Sequence, residues 1–340
     1  GAPGAKGRPS VRLCHVWRKE RAERNGEGTH RPNPLAARRQ YHSAMPGSEL
    51  AAKLAAVHGA HGAAWVATFP TTLEQVRDRW SLTIGERYAY LGYAWVARVT
   101  LADGSPAVLK LAPPSGETAC EIQALRLYDG CGAVRLLDAD PAVAALLLER
   151  LEPGAPLAML GDDALATRIA AGVMRETWRP LPPGHGFPTL ERRGAALGRF
   201  RAARGHDTTP FPPGLFAAAE ATYARLCASA APPVLLHGDL HHWNILSAER
   251  QPWLAIDPKG LAGEPAFEAG ALLRNRIGPL AAARQRAEAR ATILAAELGL
   301  DRGRVLDWAF AQAVRSVTWS LEDEGTLVPH AREVLALAAA

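Results

Sequence analysis

Lysine is scarce in this chain of 340 residues: only five of its 39 basic side chains are lysines. Long apolar runs are absent, and none approaches the roughly 20 residues of a membrane-spanning helix. Nor is there the apolar h-region of a secretory signal. The four cysteines, Cys14, Cys120, Cys131 and Cys227, form no C-x-x-C pair, which excludes zinc ribbons and dithiol redox motifs. Free thiols in a cytoplasmic protein are the expectation for them. No G-x-x-x-x-G-K-S/T string occurs, which excludes a P-loop NTPase, and no internal repeat marks a solenoid.

What is present has the balance of a globular protein, 48% hydrophobic and 21% charged. The length exceeds one ordinary core, so two lobes are expected. A net charge of +5 and a pI of about 9.2 would suit an anionic partner such as nucleic acid. The charge is unevenly placed, however. Residues 1–44 carry ten Lys/Arg and three Glu, or +7, which leaves −2 on residues 45–340. The first segment mixes Gly, Pro and Arg with few aliphatic residues, too few to offset its ordering entropy. It is expected to be a disordered or artefactual extension, with Met45-Pro46-Gly47 opening a chain of different character. For the body, neither a nucleic acid nor a membrane is the expected partner.

From Trp80 to Leu151 the pattern is strand-rich. Ala94–Leu101 and Ala107–Ala112 are apolar and partly β-branched, joined by a hairpin turn at Ala102-Asp103-Gly104-Ser105. Glu117–Asp129 reads as a helix with Ile122, Leu125 and Tyr128 on one face and Gly130 as its C-cap. Val134–Leu137 and Val143–Leu151 read as two further strands. Glu152-Pro153-Gly154-Ala155-Pro156 reads as a linker. Beyond it, residues 162–178, 190–204, 215–230, 280–298 and 304–321 have helical periodicity, interrupted by a non-helical island from Val234 to about Leu261. The expectation is an α+β, bilobal arrangement: a strand-rich N-lobe over 45–151 and a larger helical C-lobe over 152–340.

The island carries the chemistry. It reads His237-Gly-Asp-Leu-His-His-Trp-Asn244, then Trp253-Leu-Ala-Ile-Asp-Pro-Lys-Gly260. Phosphoryl transfer from ATP needs a carboxylate to orient the attacking hydroxyl, oxygen ligands for magnesium, and a cation on the non-transferring phosphates. Asp239 followed by Asn244 has the D-x-x-x-x-N spacing of a kinase catalytic loop. Asp257 ends a short apolar strand, where a second metal-binding carboxylate is needed. Lys110 lies inside the apolar strand AVLKLA, and in so lysine-poor a chain that position is unlike surface decoration. Glu121 on the following helix is the expected partner of Lys110, with Glu117, one turn earlier, as its rival. His237, Asp239, His241 and His242 invite a second reading as ligands of a hydrolytic metal. The order H-x-H-x-D-H is absent and no second ligand cluster follows. His237 is instead expected to brace the loop, with one of His241 and His242 packed and the other exposed.

The order Lys110, Glu121, His-Gly-Asp239, Asn244, Asp257 resembles the aminoglycoside phosphotransferases of the protein-kinase-like fold. The fuller string HGDLHHWNIL…WLAIDPKGLAGEPAFEAGALLRN resembles the streptomycin 6-phosphotransferase and hydroxyurea phosphotransferase family within that group. The resemblance covers most of residues 51–324, most strongly 234–276. It implies ATP and Mg2+ as cofactors, Asp239 as catalytic base, Asn244 and Asp257 on magnesium, and Lys110 on the α/β-phosphates, positioned by Glu121. It also implies that the backbone of Glu149, Arg150 and Leu151 hydrogen-bonds adenine. Departures are visible. Leu91-Gly92-Tyr93-Ala94-Trp95-Val96 has one glycine where a phosphate-covering loop is glycine-rich. Asp257 is followed by Pro258-Lys259 rather than Phe-Gly. These changes favour a small-molecule kinase, expected to act as a monomer, over a protein kinase.

The family contains two kinds of acceptor. A streptomycin-like acceptor carries guanidinium groups, which carboxylates bind bidentately. Glu264 and Glu268 follow the metal aspartate, and Glu322, Asp323 and Glu324 close a helix, where acids oppose the macrodipole. These five are the candidate acceptor-binding carboxylates, although Glu322, Asp323 and Glu324 could equally be a solvated helix end and Glu264 could equally cap the helix that follows. With the mildly acidic body they favour an aminoglycoside and resistance to it. Hydroxyurea, a biosynthetic small-molecule acceptor, and a nucleotide-binding pseudokinase without turnover are the alternatives. The intact set Lys110, Asp239, Asn244 and Asp257 argues against the pseudokinase.

Overall fold

The computed structural model describes residues 46–88, 92–276, 278 and 280–339. The basic segment 1–44, and with it the reading of an extension, lies outside the described residues. So does Leu91 of the expected phosphate loop.

An antiparallel five-stranded sheet dominates the first part of the chain, in the order β1-β2-β3-β5-β4. Its strands are β1 (Thr83–Arg87), β2 (Trp95–Thr100), β3 (Pro106–Leu111), β4 (Leu136–Asp140) and β5 (Ala145–Glu149). β1 is absent from the sequence-based expectation, as is the helix before it, α1 (Ser48–Arg79). Gly59 bends α1 with a left-handed backbone (φ 54°) and Pro70 lies inside it, which blurs the periodicity a reader would look for. Its buried Trp65, Phe69, Leu73 and Val76 pack on one face of the sheet, together with Trp95, Ala97, Val99, Ala107, Leu109, Leu111 and Leu147.

Strand side chains alternate between faces. With Ala107, Leu109 and Leu111 turned to α1, Val108 and Lys110 face the other side. There lies α2 (Gly116–Tyr128), whose Ile122, Leu125 and Tyr128 are buried. Ser115 caps α2 by accepting from the Thr118 N–H at 3.3 Å. The left-handed C-cap falls on Asp129 (φ 48°), one residue before the expected Gly130; aspartate is among the few L-residues that tolerate that conformation.

The expected linker at 152–156 is a strand. β6 (Pro153–Pro156) pairs with β8 (Ile245–Ala248), which pairs with β9 (Trp253–Ala255). Helices α3 (Asp163–Thr177), α4 (Leu190–Ala203), α5 (Leu215–Ala228), α6 (Pro265–Leu273), α7 (Leu280–Leu298), α8 (Arg302–Glu324) and α9 (Pro329–Ala339) make up the rest, with the short pair β7 (Val234–Leu236) and β10 (Leu261–Gly263). The larger core runs from α2 through the centres of these helices.

One buried cation ties three of these segments together. Arg290 of α7 is 1% exposed. It donates to Asp163 Oδ1 at 2.5 Å and to the carbonyls of Leu272 and Asn275 at 3.0 and 2.6 Å. Arg290→Ala leaves the Leu272 and Asn275 carbonyls without their donor, at about 1–3 kcal/mol each, and is expected to destabilise the fold by about 2–6 kcal/mol. A shift in the urea midpoint measures it.

Candidate active site

β7 and β10 pair in the register Leu236↔Leu261. The chain between them is therefore an excursion whose two ends are pinned side by side. At its base His237 is fully buried. Burial pushes its pKa down to about 4, so the ring is neutral. Its Nε2–H donates to the Ile256 carbonyl at 2.8 Å and its Nδ1 accepts from the Asp239 N–H at 3.3 Å; these bonds assign the tautomer. Gly238 sits at φ 82°, a conformation glycine adopts without strain. Glu268 of α6 supports the loop from below, accepting from the N–H groups of His237 and Gly238 at 2.7 and 3.0 Å. Asn244 Nδ2 closes the turn by donating to the Asp239 carbonyl at 3.0 Å, which leaves its Oδ1 as the amide's acceptor.

This frame presents the Asp239 carboxylate at the surface of the loop, 24% exposed. Its flanking groups stay beyond hydrogen-bond distance: Arg274 Nη2 at 3.6 Å and His241 Nε2 at 3.7 Å. Arg274, just past α6, is held by Gln312 Oε1 at 3.1 Å. Of the two histidines, His242 is the packed one, with Nδ1 3.1 Å from Asn275 Oδ1. His241 is half-buried rather than exposed.

Across the site, Lys110 Nζ lies 2.6 Å from Glu121 Oε1 and 2.5 Å from Asp257 Oδ1. Glu121 is thus the glutamate that reaches Lys110, because its position on α2 turns it to the sheet face that Lys110 occupies. Burial alone would raise the Asp257 carboxyl, but the ammoniums of Lys110 and Lys259 overcome it and hold the group well below the usual carboxylate range. The sequence reading assigned Lys259 nothing, yet its Nζ lies 3.2 Å from Asp257 Oδ2. The signal was available, because one of only five lysines follows Asp257 by two residues.

The structure separates the other expected residues from this cluster. Glu149 donates its N–H to the Arg135 carbonyl at 3.0 Å, and its carboxylate is taken by Arg250 and the Arg135 N–H. The Glu149 N–H is therefore engaged, so an adenine contact from this residue would use its backbone carbonyl as acceptor. Glu264 is 2% exposed. It accepts from Arg304 Nε at 2.8 Å, from the Trp308 indole and from the Ala231 N–H at 3.0 Å. Neither it nor Glu268 (1% exposed) faces an acceptor, since both are consumed by internal donors. Glu264 stands at the N-cap position of α6 but makes no capping bond. Glu322 is exposed and lies 3.7 Å from Arg315 Nη1. Asp323 and Glu324 occupy the last turn of α8, and their side chains lie outside the described residues.

A hydrolytic histidine cluster does not assemble: among the described residues no group of three or more His, Cys, Asp or Glu is placed to hold an ion. Asp257 and Asn244 instead offer hard oxygen donors, a carboxylate kept ionised and an amide oxygen. That set fits magnesium, which takes few protein oxygens and fills its shell with water and phosphate. Among the described residues, no helix is long and apolar enough to cross a membrane.

Residues 80–324 match the family of aminoglycoside/hydroxyurea antibiotic resistance kinases. A streptomycin 6-kinase of Streptomyces glaucescens is 37% identical over 294 residues, covering 85% of this chain and 95% of that one. A hydroxyurea phosphotransferase of Kitasatospora aureofaciens is 37% identical over 288 residues, covering 81% and 80%. Among solved structures, an aminoglycoside phosphotransferase in ternary complex with ADP and hygromycin B superimposes with a TM-score of 0.58 over 78% of this chain and 96% of that one. At 12% identity that likeness concerns the fold, which is protein-kinase-like.

Proposed function

Because this chain belongs to the aminoglycoside/hydroxyurea antibiotic resistance kinases, we propose that it transfers the γ-phosphoryl group of ATP to a hydroxyl of streptomycin or a related aminoglycoside. The observation that carries the reading is the convergence of Lys110, Glu121, Asp257 and Lys259 opposite the pinned loop that presents Asp239. In the reaction the acceptor O–H loses its proton to the Asp239 carboxylate as its oxygen bonds to the γ-phosphorus. The bond from that phosphorus to the β–γ bridging oxygen breaks, and ADP leaves with the bridging oxygen and its electron pair. Asp239 orients the hydroxyl for in-line attack, and the rigid loop supplies that orientation in advance. Lys110, held by Glu121, grips the α/β-phosphates, and the backbone of Glu149, Arg150 and Leu151 receives the adenine. Asp257 and Asn244 would hold magnesium, which when bound neutralises charge on the phosphate oxygens. Free cysteines among the described residues and the use of ATP fit a cytoplasmic enzyme, and a site drawn wholly from one chain fits a monomer.

The added phosphate would put negative charge and bulk on a drug that needs its positive charge, inactivating it. With Glu264 and Glu268 consumed internally, the aminoglycoside reading rests on the family and on the streptomycin 6-kinase relative rather than on an acidic wall. Hydroxyurea is the second reading, favoured by a relative of equal identity. Purified protein with Mg-ATP is expected to add one phosphoryl group to streptomycin, read as a mass shift. Phosphorylation of hydroxyurea alone would install the second reading, and phosphorylation of neither would reject both.

The lysine–glutamate pair makes a separate prediction. Glu121→Gln weakens a charge-assisted bond of about 1.5–3 kcal/mol and is expected to raise KM for ATP at least about tenfold. Glu117→Gln, which does not touch Lys110, should leave it within about twofold. Steady-state kinetics at saturating acceptor decides between them.

A further inference from the structure

The described lysines are Lys53, Lys110 and Lys259. Lys53 lies over the Tyr93 ring, 4.7 Å from its centroid. The other two converge on one carboxylate, Lys110 on Oδ1 of Asp257 and Lys259 on Oδ2. Lys110 is shared between Asp257 and Glu121, so Lys259 supplies the second positive charge of a cluster of two carboxylates. Lys110 has Glu121 as its other anchor, whereas Lys259 hydrogen-bonds no other side chain among the described residues.

The backbone nevertheless places Lys259 closely. Its N–H donates to the His237 carbonyl at 2.8 Å, two residues before Asp239. Pro258 precedes it. Gly260 follows at φ 62°, where a Cβ would meet the Phe187 ring at 2.8 Å and the Cys120 carbonyl at 3.0 Å. The ammonium is therefore tied to both the catalytic loop and Asp257, within electrostatic reach of Asp239. Lys110 lies between Asp257 and Glu121 of α2, and Glu121 acts on the Lys259 ammonium as well, ahead of Asp239. Two cations on the two oxygens of Asp257 match a chain of phosphates that runs past it. The cation on the Asp239 side meets the end that is transferred.

Resting on the ATP reading above, we propose that Lys259 is a catalytic residue: its ammonium moves from Asp257 onto a non-bridging oxygen of the γ-phosphoryl group, while Lys110 keeps the α/β-phosphates. The contact strengthens as charge redistributes over the transferring group, so it acts on the chemical step. Its mark on binding is selective, since ADP lacks the group that Lys259 touches.

The test measures dissociation constants for Mg-ADP and for the imido analogue of Mg-ATP by calorimetry. In Lys259→Met the analogue-to-ADP ratio of dissociation constants is expected to rise about tenfold over wild type, with ADP itself within about twofold. Lys110→Met is expected to weaken both nucleotides together, and Lys259→Arg to keep the wild-type ratio within about threefold. An unchanged ratio in Lys259→Met overturns the inference. A wild-type protein that binds neither nucleotide overturns instead the ATP reading beneath it. Should Lys259→Met fail to fold, wild-type protein with an ATP acyl-phosphate decides. That probe transfers its acyl group to a lysine Nζ beside the γ-phosphate, with loss of a proton and release of ATP. ATP-protected acylation of Lys259 is the expected peptide-mapping result, and protected acylation confined to Lys110 would overturn the inference.

Discussion

Asp239→Asn is expected to lower turnover by about 10²- to 10⁴-fold, the usual weight of a positioned general base, with affinity for ATP kept within about twofold. The separation follows from how the loop is held. Backbone groups do the holding: the N–H groups of His237 and Gly238 on Glu268, and the Asp239 carbonyl on Asn244. The Asp239 carboxylate itself has neighbours only at 3.6 and 3.7 Å, so an isosteric amide breaks no hydrogen bond of the fold. What it removes is the negative charge that accepts the acceptor's proton. Single-turnover phosphorylation at saturating ATP and acceptor reads the chemical step directly. Full turnover in Asp239→Asn would reject the mechanism whatever the acceptor.

Glu268→Leu should produce the second large effect, a loss of about 2–6 kcal/mol in folding stability, because two buried N–H groups are each left unsatisfied at about 1–3 kcal/mol. It should also loosen Asp239, so the surviving folded protein is expected to turn over more slowly. The milder Glu268→Gln exposes a pH dependence. Burial, against the pull of the backbone N–H groups, raises the Glu268 pKa from 4.5 to about 7. The folded chain therefore binds a proton here, between about pH 4.5 and 7, that the unfolded chain does not. The stability this group contributes is fully present below the lower limit and falls as pH rises to the upper one. Glutamine has no such slope. Urea midpoints at pH 5 and pH 8 should show wild type gaining on Glu268→Gln as pH falls; a gap that instead widens toward pH 8 would contradict the raised pKa.

Glu268 also shows why part of the site was illegible in the sequence. A carboxylate a few residues beyond a metal aspartate looks the same whether it faces a substrate or the protein interior. Its partners, the N–H groups of His237 and Gly238, lie about 30 residues back along the chain, and only the packing of α6 under the loop brings them together. Glu264 was misread for the same reason, since Arg304 and Trp308 reach it from α8. The helix α1 and the strand β6 escaped on different grounds. Gly59 and Pro70 break the periodicity of the first, and the proline- and glycine-rich composition of the second is that of a loop until β8 supplies a partner.

Sequence alone determined the candidate residues and their order, because Asp239 and Asn244 stand five apart on one short loop and such spacing is local. It also separated the basic segment 1–44 from a body of −2, since net charge needs no coordinates. It bounded the glutamate beside Lys110 to two residues on one helix. Tertiary structure decided which of the two is reached, that Lys259 shares Asp257 with Lys110, and that Glu264 and Glu268 are interior supports. Those outcomes depend on which faces of a strand and a helix meet, and on which buried donors must be satisfied once they do.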